Sequence, residues 1–424
     1  MKILLLTSND GRTAGGQQIK KLRDSFLARS HNVLAIINAM DVQDESEYIV
    51  PRNIGWRIID RAVRWTSDVL CVPDMYRPSF KLWLKKIDAY RPDIIHIHWT
   101  YSSYCIPLLC LPSLSKRFPI LWTYHDVWAI TGGCTYNVDC IRWKTGCGNC
   151  PQLANPSLNS FINLQRDTTA MLWNLKRNIY KRSRFTIICP SLWLTNMAKQ
   201  SPLLQGKTIN YIPNGLNTQQ FHPLSKKSCR EALDIPQDKH IILFIGKPDN
   251  IFGYGGRIPV FVETMKILKT RYPDFAKSVE LLIVGKKGED LGRMAGYPAI
   301  CLGAVSSRQI LAMAHSAADI FVNTTQADNL PGVIQESLAC GTPIIASKVD
   351  GVIEMVRHME TGYLAKRDDP NEFAEAIRLL FSNDALRLEM GRSCRQFALS
   401  EYENEKCVSQ ILTAYEEEIA RHRI

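Results

Sequence analysis

Along the whole chain, short aliphatic and β-branched runs alternate with longer segments in which apolar residues recur every three or four positions. That alternation predicts parallel strands covered by helices on both faces. In the first half the runs predict strands over residues 3–7, 33–38, 93–98, 119–125, 185–189 and 208–212. The second half repeats the scheme over 241–246, 280–284, 299–302, 319–323 and 343–347. Both periodicities are interrupted at Pro213-Asn214-Gly215 and through Phe221-His222-Pro223-Leu224-Ser225, where prolines and a turn dipeptide mark a boundary. The expected architecture is α/β, with two doubly wound, Rossmann-like domains over 1–215 and 216–400 facing across a cleft. A C-terminal helix within 401–424 is amphipathic and is expected to pack back on the first domain. Ligands of open parallel sheets bind beyond the carboxyl ends of the strands, so the loops there are the first place to look for chemistry.

With 424 residues, 46% of them hydrophobic, the chain can bury two cores. The opening Met1-Lys2-Ile3-Leu4-Leu5-Leu6 is apolar, but Ser8-Asn9-Asp10-Gly11 cuts it short of a signal-peptide core, so it reads as a first buried strand. No run reaches the roughly 18 apolar residues that a spanning helix needs, which predicts a cytoplasmic chain whose membrane contact is peripheral. The net charge of +11 is unevenly placed: residues 1–212 hold 27 Lys/Arg against 14 Asp/Glu, so the excess lies wholly in the first half. Basic residues there are mixed with aromatics, as in Phe80-Lys81-Leu82-Trp83-Leu84-Lys85-Lys86 and in Trp173, Lys176, Arg177, Tyr180, Lys181 and Arg182. The pattern suits an anionic membrane surface, against the alternative of a solvated basic face. No nucleic-acid-binding signature accompanies it, so nucleic acid is not an expected partner.

Two stretches carry candidate chemistry. After the first strand, Gly11-Arg12-Thr13-Ala14-Gly15-Gly16 leads into a helix expected from Gln17. Paired glycines let the backbone approach an anion, and a helix start supplies N–H donors. The glycine spacing is not that of a dinucleotide fingerprint, which disfavours hydride transfer. In the second half, Thr324-Thr325-Gln326-Ala327-Asp328-Asn329-Leu330-Pro331-Gly332 follows a strand and opens a helix carrying Glu336. Amides at that helix start suit a diphosphate, and Glu336 suits ribose hydroxyls; a capping residue and a solvated acidic face are the plainer alternative.

The stretch from Asp328 through Glu336-Ser337-Leu338-Ala339-Cys340-Gly341-Thr342-Pro343-Ile344-Ile345-Ala346 resembles the signature of glycosyltransferase family 4, retaining enzymes of the GT-B fold. The resemblance extends to the Gly15-Gly16 loop, to Ser30-His31-Asn32-Val33, Pro190-Ser191-Leu192-Trp193-Leu194 and Ile212-Pro213-Asn214-Gly215, and to Glu354 and Gly362-Tyr363-Leu364. It is closest to bacterial exopolysaccharide and capsule enzymes, which share the Tyr124-His125-Asp126-Val127-Trp128 segment and the cysteines after it. The resemblance implies that Gly15 and Gly16 face the diphosphate, that His125 lies near the donor sugar, and that Glu336 contacts the ribose. Asp328 takes the family's first acidic position, where most members carry Glu; Asn329 and Leu330 follow it in the donor loop. The cations expected to neutralise the diphosphate are replaced here by Lys247 for an Arg, and by Gly256-Arg257 in place of a Lys-Gly pair.

By this reading the chain transfers a sugar from a nucleotide-diphosphate donor to a saccharide or lipid-linked saccharide acceptor, with retention and in surface polysaccharide synthesis. No cofactor is expected for catalysis, since no Asp-x-Asp segment is apparent. Four of the 13 cysteines, Cys134, Cys140, Cys147 and Cys150, crowd into residues 131–153. One structural Zn²⁺ on four thiolates, free thiols, or a redox pair are the three readings of that loop. The competing functions are a GT-B sugar-nucleotide epimerase and a catalytically degenerate nucleotide-sugar-binding subunit.

Overall fold

The computed structural model describes residues 1–7, 14–36, 47–48, 54–69, 78–98, 107–153, 166–246 and 258–423. The chain divides into two compact units, one comprising Met1–Pro213 with Cys407–Ile424 and the other Asn214–Lys406.

Among the described residues, the first unit is built on seven parallel strands: β1 (Lys2–Leu6), β2 (Asn32–Ile36), β3 (Glu47–Tyr48), β4 (Ile94–Ile97), β5 (Ile120–Thr123), β6 (Thr186–Cys189) and β7 (Ile209–Tyr211). Their order across the sheet is β3-β2-β1-β4-β5-β6-β7. The apolar run of β1 is unbroken because both faces of a central parallel strand are covered. Leu4 and Leu6 join Ile95, Ile97 and Trp122 in the core on one face. Ile3 and Leu5 join Ile94, Leu121 and Ile188 on the other. The helix Ala14–Ala28 closes this second face with Ile19, Leu22 and Phe26, spaced three and four apart. Val408, Ala414 and Tyr415 of the C-terminal helix Asn404–His422 complete the same core.

The second unit has six parallel strands: β8 (His240–Ile245), β9 (Val279–Val284), β10 (Ala299–Gly303), β11 (Ile320–Asn323), β12 (Ile344–Ser347) and β13 (Gly362–Ala365). They run in the order β10-β9-β8-β11-β12-β13. Alternation within β8 again divides two cores, Ile241 and Leu243 to one side and Ile242 and Phe244 to the other. β3 and β13 are additions to the strands expected from the pattern.

One expectation is corrected here. In the helices Phe80–Tyr90 and Thr169–Lys181 the aromatics turn inward: Phe80, Trp83, Trp173 and Tyr180 are buried, and so is Lys176. Lys81, Lys85, Arg177, Lys181 and Arg182 face solvent, as do Asp88, Met171, Asn174 and Asn178. The aromatics occupy the helix face that packs on the core, so the outer faces carry charge with no exposed aromatic beside it. Three exposed apolar side chains gather on the helix Ile54–Val69, where Ile58, Ile59 and Trp65 project outward, Trp65 at 69% exposure. Its Asp60 points inward and accepts from the N–H and hydroxyl of Ser79 at 3.1 and 2.6 Å. Among the described residues, no helix is long and apolar enough to cross a membrane.

Candidate functional site

In the first unit, β1, β4 and β5 lie side by side, and their carboxyl ends bring three sets of residues to one edge of the sheet. Gly15 and Gly16 follow β1. They stand inside the first turn of the helix Ala14–Ala28, which begins three residues earlier than expected from the sequence. Their value is therefore access to first-turn amides.

His125 follows β5. Its Nε2 lies 3.1 Å from Nδ1 of His98, which follows β4, and the two rings stack at 5.4 Å. Behind them His96, within β4, makes 2.7 Å contacts through Nδ1 with the Tyr415 hydroxyl and through Nε2 with Thr123 Oγ1. Its ring lies 4.1 Å from that of His98. Burial lowers all three imidazoles, His98 to about 3, so the row is neutral at physiological pH. His98 was absent from the sequence-derived set, although the His-x-His spacing in a strand puts both rings on one face.

The loop after His125 is fixed from below. The Asp126 carboxylate accepts the Trp128 N–H at 2.8 Å. The buried Lys176 ammonium donates to the carbonyls of Trp128 and Thr131 at 2.5 and 2.9 Å and sits 3.7 Å over the Trp128 ring. Tyr180 donates to the Ala129 carbonyl at 3.0 Å.

The cysteine loop comes next. Cys134, Cys140, Cys147 and Cys150 all line one small cavity. Among the described residues, however, no group of three or more His, Cys, Asp or Glu side chains is placed to hold a metal ion. Burial pushes the Cys134 thiol up to about 12 and that of Cys147 to about 11, which keeps both protonated. Hydrogen bonds hold the loop: Trp173 donates to the Trp143 carbonyl at 2.9 Å, Gly148 N–H to Thr169 at 3.0 Å, and Cys150 N–H to Asp167 at 2.7 Å.

In the second unit the candidate residues lie on one loop and one helix. Residues 324–331 leave the carboxyl end of β11 and enter the helix Gly332–Ala339 with Pro331 at its N-cap. Asn329 is buried and Leu330 packs against the core. Asp328 is pushed up to about 7, first by burial and then by the charge of Asp350, against the pull of the Asn329 and Leu330 amides. Asp350, three residues past β12, is a second acid that the sequence reading missed. Glu336 retains 17% exposure, and its Oε2 lies 3.8 Å from Nε2 of the buried His315 in the helix Arg308–Ala317. Gln335 reaches the other way, donating to the Asn214 carbonyl at 2.7 Å. Lys247 and Arg257 fall outside the described residues.

Comparison with known proteins identifies the family. Residues 16–220 match the family described as Glycosyltransferase Family 4, and residues 239–383 that described as Glycosyl transferases group 1. The N-acetyl-alpha-D-glucosaminyl L-malate synthase of Bacillus anthracis is 31% identical over 332 residues, 76% of this chain and 74% of that protein. The D-inositol 3-phosphate glycosyltransferase of Acidothermus cellulolyticus is 26% identical over 226 residues, 51% of this chain and 49% of its own length. The chain thus spans about half the length of that relative. Sucrose-phosphate synthase from Thermosynechococcus elongatus superposes with a TM-score of 0.69 at 19% identity, covering 99% of this chain and 100% of that one. Anabaena HepE in complex with UDP and glucose does so at 0.64 and 14% identity, covering 98% and 100%. At those identities the likeness is one of fold, and the fold is GT-B. In sequence and in architecture, the chain belongs to the family 4, group 1 glycosyltransferases.

Proposed function

We propose that this chain transfers a sugar, with retention of anomeric configuration, from a nucleotide-diphosphate donor to a saccharide acceptor. The observation that carries the reading is the pairing of Asp328 and Glu336 on one loop–helix element at the carboxyl end of β11. The first-turn amides of the helix Gly332–Ala339 suit a diphosphate, and the partly exposed Glu336 suits the ribose hydroxyls. Anabaena HepE holds UDP and glucose on the same fold, which favours a sugar nucleotide as donor.

Cleavage of the anomeric C–O bond leaves negative charge on the diphosphate. Helix-start amides such as those of Gly332–Ala339 act most strongly as that charge develops, and the family resemblance gives Lys247 and Arg257 the same task. Neutral His125, with Nε2 engaged by His98, offers the sugar its other ring nitrogen, as donor or acceptor according to the tautomer. Transfer without a metal cofactor is favoured by the lack of an Asp-x-Asp segment in the sequence.

The acceptor in this reading is a lipid-linked saccharide of a bacterial surface polysaccharide, met at the cytoplasmic face of the membrane. The exposed Ile58, Ile59 and Trp65 beside Arg61 give the helix Ile54–Val69 the mixture of apolar and basic residues that suits an anionic interface.

Calorimetric titration with UDP, GDP and ADP tests the donor half. One nucleotide is expected to bind selectively, and Glu336→Ala is expected to lose about 1–3 kcal/mol of that affinity. Binding of none of the three by the folded protein would overturn the reading. Release or isomerisation of the donor sugar with no acceptor present would favour an epimerase instead.

A further inference from the structure

Both ring nitrogens of His315 lack a hydrogen-bond partner, although the side chain is fully buried. A buried imidazole carries at least one N–H, and leaving it unsatisfied is costly, so a native protein that keeps one there has a use for it. The ring cannot drift far. It stands edge-on to Phe321 of β11 at 5.5 Å, and its own carbonyl is held by the Thr342 hydroxyl at 2.7 Å. Facing Nε2 is Oε2 of Glu336, 3.8 Å away, about 1 Å beyond a good N–H···O contact. That gap is within the reach of a rotation about the last torsion of the glutamate.

We propose that His315 is a positioning residue for Glu336, its Nε2–H closing on the carboxylate when a nucleotide's ribose engages it. The inference rests on the donor-site reading above. One carboxylate oxygen is then tied from inside the fold and the other is left to accept from the ribose. The bond that closes adds a contact made only in the bound state, which offsets part of the entropy lost as the glutamate torsions are fixed. His315 never touches the donor; it acts through Glu336.

The test is calorimetry with whichever of UDP, GDP or ADP binds, alongside its 2′,3′-dideoxy counterpart. His315→Phe, which keeps the aromatic packing, is expected to weaken the ribonucleotide about 5- to 20-fold while leaving the unfolding temperature unchanged or raised. The loss is expected to vanish for the dideoxy nucleotide and in a Glu336→Ala background, and His315→Gln is expected to recover part of it. In the unsubstituted protein, ¹⁵N spectra are expected to show the Nε2–H proton of His315 move downfield on nucleotide saturation. Ribonucleotide affinity unchanged in a folded His315→Phe protein, an equal loss in the Glu336→Ala background, or an unmoved Nε2 signal would overturn the inference while leaving the donor site standing. If Glu336→Ala itself binds like the unsubstituted protein, both readings fall.

Discussion

Nδ1 of His98 and Nε2 of His125 share one hydrogen across 3.1 Å. Burial keeps both rings neutral, so whichever nitrogen carries that hydrogen fixes the tautomer of the partner ring as well. His98 therefore decides whether His125 presents a donor or an acceptor from its other nitrogen. Replacing His98 by Phe keeps the stack and removes the bond, and a fall in kcat of roughly 10- to 100-fold is expected in a transfer assay. Asn, whose amide can occupy the place of Nδ1, is expected to recover part of the loss. A Phe variant with unchanged kcat would show that His125 does not depend on this bond.

Lys176 supports the same loop from beneath. Its ammonium meets two carbonyls and the face of Trp128 in a site where water cannot replace it. Lys176→Met leaves the carbonyls of Trp128 and Thr131 without that donor, and a loss of about 2–4 kcal/mol of stability is expected in denaturant unfolding. A loss confined to a few tenths would mean that the loop is carried by Tyr180 and the Asp126 turn instead.

The parts of the fold legible in the sequence are those where one physical demand dominates. Strands with neighbours on both sides must be apolar throughout, and their runs stand out. β13 is hidden by its own requirement: a Cβ on Gly362 would lie 2.0 Å from the Ile344 carbonyl oxygen, so a glycine, which ordinarily argues against a strand, is obligatory in this one. β3 has only two residues and leaves no pattern to read. In the site, Asp328 and Glu336 lie on one continuous segment and could be read together. His98, Asp350 and His315 reach their partners only through strand or helix pairing, which no linear spacing encodes. The cysteine spacing is legible too, but it says nothing of how deeply each thiol is buried.

The helix Ile54–Val69 yields a prediction about surfaces. On this helix Asp60 points inward, while Ile58, Ile59 and Trp65 stand exposed beside Arg61 as an apolar patch bordered by charge. Replacing Ile58 and Trp65 by Glu is expected to abolish co-sedimentation with vesicles containing anionic lipid, leaving nucleotide affinity and unfolding temperature unaltered. High salt is expected to weaken the unsubstituted protein's binding only in part, since the apolar contribution is not screened. Retained vesicle binding by the double variant would move the membrane contact elsewhere.

Asp328 gives the sharpest dependence on pH. Its carboxyl titrates near 3.8 when unfolded and is pushed up to about 7 in the fold, by burial and by Asp350. Between those values the native state holds a proton that the unfolded chain releases. Stability from this group is therefore full below about pH 4 and is lost as pH rises towards 7. Asp328→Asn cannot ionise, so it is expected to match the parent near pH 4 and to exceed it by about 1–3 kcal/mol at pH 8. The buried histidines of the first unit bend the curve the other way, because their lowered values favour the fold only as pH rises towards 6.5. They are common to both proteins and cancel in the difference between the two curves. A difference that does not change with pH would show that Asp328 is ionised in the fold throughout, held by the amides of Asn329 and Leu330 more firmly than Asp350 repels it.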